Sequence, residues 1–257
     1  MYPELFRIGD FVISSFGVMV AIAFLVAYWI SSLEYKRKGL DEKLLGNVFV
    51  AAMVGGIVGA KILYLLENVP ISEIMRNPVP NLFSRGGLTF YGGFFGAVLL
   101  VWIISLRSKV SFWKILDGLA PGLAIGHAIG RIGCLLVGDD YGTPSDLPWS
   151  MAFPKGLPPT TERVHPTQVY EAILLGIIFL VLWKIRKKEA QDGWLFSILL
   201  ILAGIERFLI EFIRSTSPSP VPGLSLAQVI ALALIIVGII KLFRVGDSKA
   251  RVKKGYK

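Results

Sequence analysis

Cysteine occurs once in the 257 residues, at Cys134, so the chain can form no internal disulfide and no thiolate metal cluster. Histidine occurs twice, at His127 and His165, and two imidazoles alone complete no zinc site. No metal is therefore expected. The opening residues Met1-Tyr-Pro-Glu lack the basic stretch that begins a secretory signal, and the first apolar run is longer than a signal's core, so no cleavable leader is expected. No internal repeat is apparent, although inverted repeats are the mark of many transporters.

Apolar residues are abundant. At 54% hydrophobic and a mean hydropathy of +0.65, the chain lies outside the 45–50% typical of soluble domains. Its apolar residues fall in blocks of about twenty, the length that spans a bilayer. Seven blocks can be read, near 11–32, 46–66, 88–106, 115–137, 168–183, 193–213 and 222–243. The fold expected is an all-α integral membrane protein with seven transmembrane helices. Residues 1–243 would form the membrane domain and 244–257 a basic tail. Gly55, Gly56, Gly59 and Ala60 in the second block, and Gly92, Gly93 and Gly96 in the third, suit close helix packing in lipid.

The formal charge of +9 is read through topology before any nucleic-acid partner is considered. Eighteen of the 27 basic residues fall in the loops after blocks one, three and five and in the tail, against six on the opposite face. The positive-inside rule then puts the N-terminus outside and the C-terminus in the cytoplasm. The tail reads as a solvated, topology-setting run.

Three basic residues remain inside the blocks: Lys61, Arg131 and Arg207. A mid-membrane arginine costs about 2.5–3.5 kcal/mol on insertion scales, so one that is kept calls for a reason. Arg131 lies in His127-Ala-Ile-Gly-Arg131-Ile-Gly-Cys134, a few residues before the turn Gly138-Asp139-Asp140-Tyr141-Gly142. At the helical rise of 1.5 Å per residue it lies roughly 9–10 Å below the outer surface. Arg207, counted back from Arg214, reaches the same depth. An arginine among glycines suits a phosphate, because the fork donates in parallel and the glycines admit backbone. Arg207, Glu211 and Arg214 are spaced to share one helix face. They read either as a self-neutralising ladder or as part of an anion site. Glu206 points elsewhere and is free to pair with another helix. Glu171, in His165-Pro-Thr-Gln-Val-Tyr-Glu171, reads equally as a first-turn helix charge or a site residue. Cys134 reads as a small buried residue. The polar residues together describe an outward-facing, membrane-embedded pocket whose walls hold acyl chains and whose cations hold a lipid phosphate.

Several pieces, in order, resemble the bacterial prolipoprotein diacylglyceryl transferases. They are Ser15-Phe16-Gly17, Arg85-Gly-Gly-Leu-Thr-Phe-Tyr91-Gly-Gly, Gly130-Arg131-Ile-Gly-Cys134, Gly138-Asp139-Asp140-Tyr141-Gly142, the His165–Glu171 run and Glu206-Arg207-Phe-Leu-Ile-Glu211-Phe-Ile-Arg214. The resemblance implies a multi-pass enzyme of the bacterial inner (plasma) membrane. It would move diacylglyceryl from phosphatidylglycerol to the lipobox cysteine of a prolipoprotein signal peptide, forming a thioether. Membrane lipids would be its other partners, with no nucleic acid and no cofactor. By the same resemblance Arg131, Arg207 and Arg214 would bind the headgroup, and Tyr91, Asp139, Arg207 and Glu211 would serve catalysis. The base stays open among Asp139, Glu211 and the Tyr91 phenol. The chain departs from common family residues at Phe16, Tyr91, Cys134, Asp139 and Ala203, where tyrosine, histidine, asparagine, glutamate and tyrosine are frequent. A transporter and a non-catalytic lipid-binding homologue are the rival readings. Intramembrane charge also marks transport paths, but there it is spread across the membrane's depth.

Overall fold

The structure is a computed structural model, and it describes residues 2–9, 11–82, 87, 89–188, 190–214 and 223–254. It is mostly helical. Six helices are long and apolar enough to cross a membrane. The chain forms two compact units, residues 35–115 and the combination of 1–34 with 116–257.

The larger unit opens with an antiparallel hairpin of β1 (Glu4–Ile8) and β2 (Phe11–Ser14). The first apolar block therefore starts as a strand, and helix α1 (Ser15–Arg37) begins only at Ser15. The hairpin is tied to the helices where Tyr2 N–H donates to the Leu136 carbonyl at 3.0 Å. Helix α1 lies against α6 (Phe112–Val137). A methyl at Gly122 would strike the Ala27 carbonyl and Ser31, and one at Gly133 would press on Met19 and Phe16. In lipid, where helices gain nothing by excluding water, such close approach supplies the packing energy.

Helices α7 (Thr167–Ile185) and α8 (Trp194–Ile210) complete the core with α6. Ala120, Ala124 and Ala128 meet Leu175, Ile178, Leu182, Leu195 and Leu199 there. The register of α8 is fixed from α6. The buried Asp117 carboxylate accepts from Gly193 N–H at 2.9 Å and Phe196 N–H at 2.8 Å. It thereby caps the amides that a helix start leaves unpaired. Helix α9 (Leu226–Lys254) packs on α8, where Gly204 faces the Ala231 carbonyl and Gly238 the Ser197 carbonyl.

The smaller unit is dominated by α2 (Glu42–Asn68) and α5 (Phe90–Ser108). The glycines of the sequence interlock here. A Cβ on Gly55 would meet the Gly96 carbonyl, and one on Gly59 the Gly92 carbonyl. Two short helices, α3 (Ile71–Arg76) and α4 (Pro78–Leu82), follow α2. Buried Lys61 places its ammonium 5.4 Å from the Tyr64 ring centre. Tyr91 stands in the first turn of α5. Arg85, Gly86 and Leu88 of its motif lie outside the described residues.

Candidate active site

The turn after α6 is built to hold a fixed shape. Gly138 adopts φ +80° and Asp140 φ +60°, a left-handed conformation that aspartate tolerates better than most residues. The first turn of α7 clamps this turn from its far side. The Thr167 hydroxyl donates to the Asp140 carbonyl at 2.7 Å and the Gln168 amide to the Asp139 carbonyl at 2.5 Å. Both side chains are fully buried. That is the physical use of the Pro-Thr-Gln run. Gly142 is required for a different reason: a Cβ there would collide with the Ile213 carbonyl, His165 and Thr167. Its N–H donates to the His165 carbonyl at 2.9 Å, while Thr143 N–H donates to the Ile213 carbonyl at 2.9 Å. The ends of α6 and α8 and the start of α7 are thus knotted at one level. Strands β3 (Met151–Phe153) and β4 (Thr160–Val164) form the hairpin above, where Tyr141 stacks on Phe153 with ring centres 5.3 Å apart.

Three arginines converge beneath this turn on one carboxylate, that of Glu171. The Arg131 Nε is 3.1 Å from its Oε2, the Arg207 Nη1 3.2 Å from its Oε1, and the Arg214 Nη1 3.7 Å from Oε1. Arg207 also reaches Glu211 at 2.7 Å. Asp140 bridges the other two, at 2.8 Å from Arg131 and 2.7 Å from Arg214. The side chain of Glu171 is 1% exposed, whereas that of Asp140 is 43% exposed and covers the arginines from outside. Burial pushes the Asp140 carboxyl up, but the charges of Arg214 and Arg131 outweigh it and hold the group below its ordinary range. Burial pushes its neighbour Asp139 up, opposed by Cys134, which lies beside it.

The two arginines expected at one depth do meet. Arg214 joins them by another route than the shared helix face: α8 ends at Ile210, residues 211–213 form a 3₁₀ turn, and Arg214 is extended. Glu211 accordingly pairs with Arg207, and no Glu211–Arg214 ion pair occurs among the described residues. Glu171 is the centre of the cluster, so the choice left open for it falls on the site. Asp140 was missed as a contact, and Asp139 touches none of the arginines. Glu206, free by its spacing to pair across helices, makes no ion pair among the described residues. The signals for Glu171 and Asp140 were weak but present, in an acid on an apolar face and an acid doubled at a helix end. Tyr91 belongs to the smaller unit. The grouping of Cys134, Asp139 and Asp140 could offer three metal ligands, but the Arg131 guanidinium beside them disfavours a cation.

Apolar spanning helices that close around a ring of arginine forks and carboxylates define a multi-pass membrane protein with an anion-binding site at one level of its helices. The sequence pattern of the prolipoprotein diacylglyceryl transferases matches residues 3–244, and the chain belongs to that family. It is 34% identical to the phosphatidylglycerol–prolipoprotein diacylglyceryl transferase of Clostridium tetani, over 93% of this chain and 96% of that one. It is 33% identical to that of Chlorobaculum tepidum, over 93% and 88% of the two chains. With the enzyme so named from Azoarcus it shares 30% identity over 97% of each. The protein is a membrane transferase of lipoprotein biosynthesis.

Proposed function

We propose that the chain transfers the diacylglyceryl group of phosphatidylglycerol to the lipobox cysteine thiol of prolipoproteins, and that the ring of Arg131, Arg207 and Arg214 holds the lipid phosphate. The observation that carries this reading is the convergence of three guanidiniums from separate segments on one buried carboxylate. Each guanidinium has five N–H donors, and the contacts described use a fraction of them, so phosphate oxygens find partners without dismantling the ring. Asp140, the exposed member, holds Arg131 and Arg214 as the phosphate would and is the carboxylate displaced at least cost.

In the reaction the sulfur attacks the glyceryl carbon, and a glycerol phosphate leaves with the bonding electrons. The arginines neutralise the charge that grows on the leaving oxygens in a site of low dielectric. The thiol must lose its proton, and its ordinary pKa near 8.5 calls for a base. The candidates the sequence offered for that base are Asp139, Glu211 and the Tyr91 phenol, and of these Glu211 is engaged by Arg207 at 2.7 Å.

Helix α8 has 17 residues and the turn to Ile213 extends it, so it serves as the seventh crossing. Residues 1–243 form one membrane domain and 244–257 a cytoplasmic basic tail, with the arginine ring toward the outer leaflet of the bacterial plasma membrane. The test incubates purified protein with phosphatidylglycerol vesicles and a lipobox peptide. A peptide heavier by one diacylglyceryl group, with glycerol phosphate released, supports the reading. An unchanged peptide beside a folded protein overturns it.

A further inference from the structure

Glu206 takes part in none of the contacts above. It sits on α8 seven residues after Leu199 and four before Ile210, on the buried stripe that faces α6 and α7. That stripe is otherwise apolar. Glu206 is 5% exposed, its Oε1 is shielded from solvent without a hydrogen-bond partner, and no arginine lies within ion-pair distance among the described residues. It nevertheless stands in the field of the ring, within range of Glu171 on α7, Arg131 on α6, Arg207 beside it and Arg214 beyond the 3₁₀ turn. His127, one turn from Arg131 on α6, shares that field through Arg131 and Arg207. Residues 226–240 of α9 carry no titratable side chain.

A buried, unpartnered carboxyl is costly and calls for a use. Glu171, Glu211 and Asp140 each have arginine nitrogens within 3.2 Å, so their oxygens are already engaged in ion pairs. Glu206 has no such partner. Asp139 shares that freedom, but it adjoins Asp140 on the turn that covers the phosphate ligands. An in-line displacement needs its base across the glyceryl carbon from that phosphate.

We propose that Glu206 is the proton acceptor of the transfer, a role that rests on the reading of the arginine ring as the phosphate site. The thiol S–H bond breaks with its proton passing to a Glu206 oxygen, and the sulfur electron pair forms the S–C bond. The C–O bond to phosphate breaks, its electrons leaving with glycerol phosphate. The proton then passes to that phosphate or to water, and the carboxylate returns.

The experiment compares wild type with Glu206→Gln, using phosphatidylglycerol and two acceptor peptides that differ only in cysteine or selenocysteine. A selenol is already ionised at neutral pH and needs no base. Wild type lipidating neither peptide would overturn the phosphate-site reading itself. Given wild-type transfer, Glu206→Gln is expected to lose at least 100-fold with the cysteine peptide. Its loss with the selenocysteine peptide is expected to stay within about tenfold. Wild-type activity of the variant on cysteine, or an equal loss on both peptides, overturns the proposal. Glu206→Asp provides the second arm should the glutamine variant not fold. Its acid limb in the pH–rate profile should move, and an unmoved limb overturns the proposal as well.

Discussion

At the scale of the residue, three cations converge on Glu171 with Asp140 and Glu211 beside them, and each variant tests one part of the phosphate site proposed there. Arg131→Lys keeps the charge but loses the fork, so transfer should fall at least 100-fold while insertion and thermal stability change little; full activity would remove Arg131 from the phosphate site. The pair Arg207–Glu211 separates scaffold from site. If Glu211 mainly neutralises Arg207, the double alanine variant regains stability lost by Glu211→Ala, yet its transfer stays at the level of Arg207→Ala. Restored transfer in the double variant would place Arg207 in the scaffold. Asp139 and Asp140 behave oppositely with pH. Asp140 is held below its ordinary range, so its contribution is present above the unfolded aspartate value near 4 and is lost as pH falls further. Asp139 is raised, so its charge opposes folding at neutral pH, and Asp139→Asn should melt slightly higher there. A melting curve for Asp139→Asn that falls below wild type at pH 7 would contradict the assigned burial effect.

At the scale of the element, the smaller unit depends on two helices whose backbones touch. Gly59→Leu would drive a side chain into the Gly92 carbonyl and should abolish folded protein in membranes, whereas Gly46→Leu, with open space at its Cβ, should be tolerated. Equal yields of both variants would argue against that interlock. The glycine spacing made this pair legible in sequence, because small residues four apart have one main use in lipid. The apolar blocks likewise announced the spanning helices. Their ends were less visible. Phe11–Ser14 is as apolar as the helix behind it, and only its pairing with Glu4–Ile8 makes it a strand. Helical spacing put Glu211 and Arg214 on one face, but the turn at 211–213 broke the helix and sent Arg214 to Asp140 and Glu171. Partners of that kind come from α7 and from the α6 turn, at separations no local pattern encodes. Glu171 stayed ambiguous for the same reason: an acid three residues behind Gln168 looks alike as a helix-start charge or a ligand until the arginines arrive.

At the scale of the whole molecule, charge asymmetry and site position should agree. A reporter fused after Lys257 is expected to read as cytoplasmic, and a cysteine placed at Lys155 to react with an impermeant reagent from outside. Labelling only from the cytoplasm would invert the protein and the ring with it. The ring's charges gather at one level of the helices, where a transporter would spread them along a path. The proposal that ties topology, helices and residues together is a lipid phosphate seated among Arg131, Arg207 and Arg214. The most direct measurement is the mass of the intact protein sprayed from detergent with phosphatidylglycerol, wild type beside Arg131→Lys and Arg207→Ala. The account expects one tightly held phosphatidylglycerol on wild type, lost at the same lipid concentration from both variants. Equal retention of that lipid by all three proteins would contradict it.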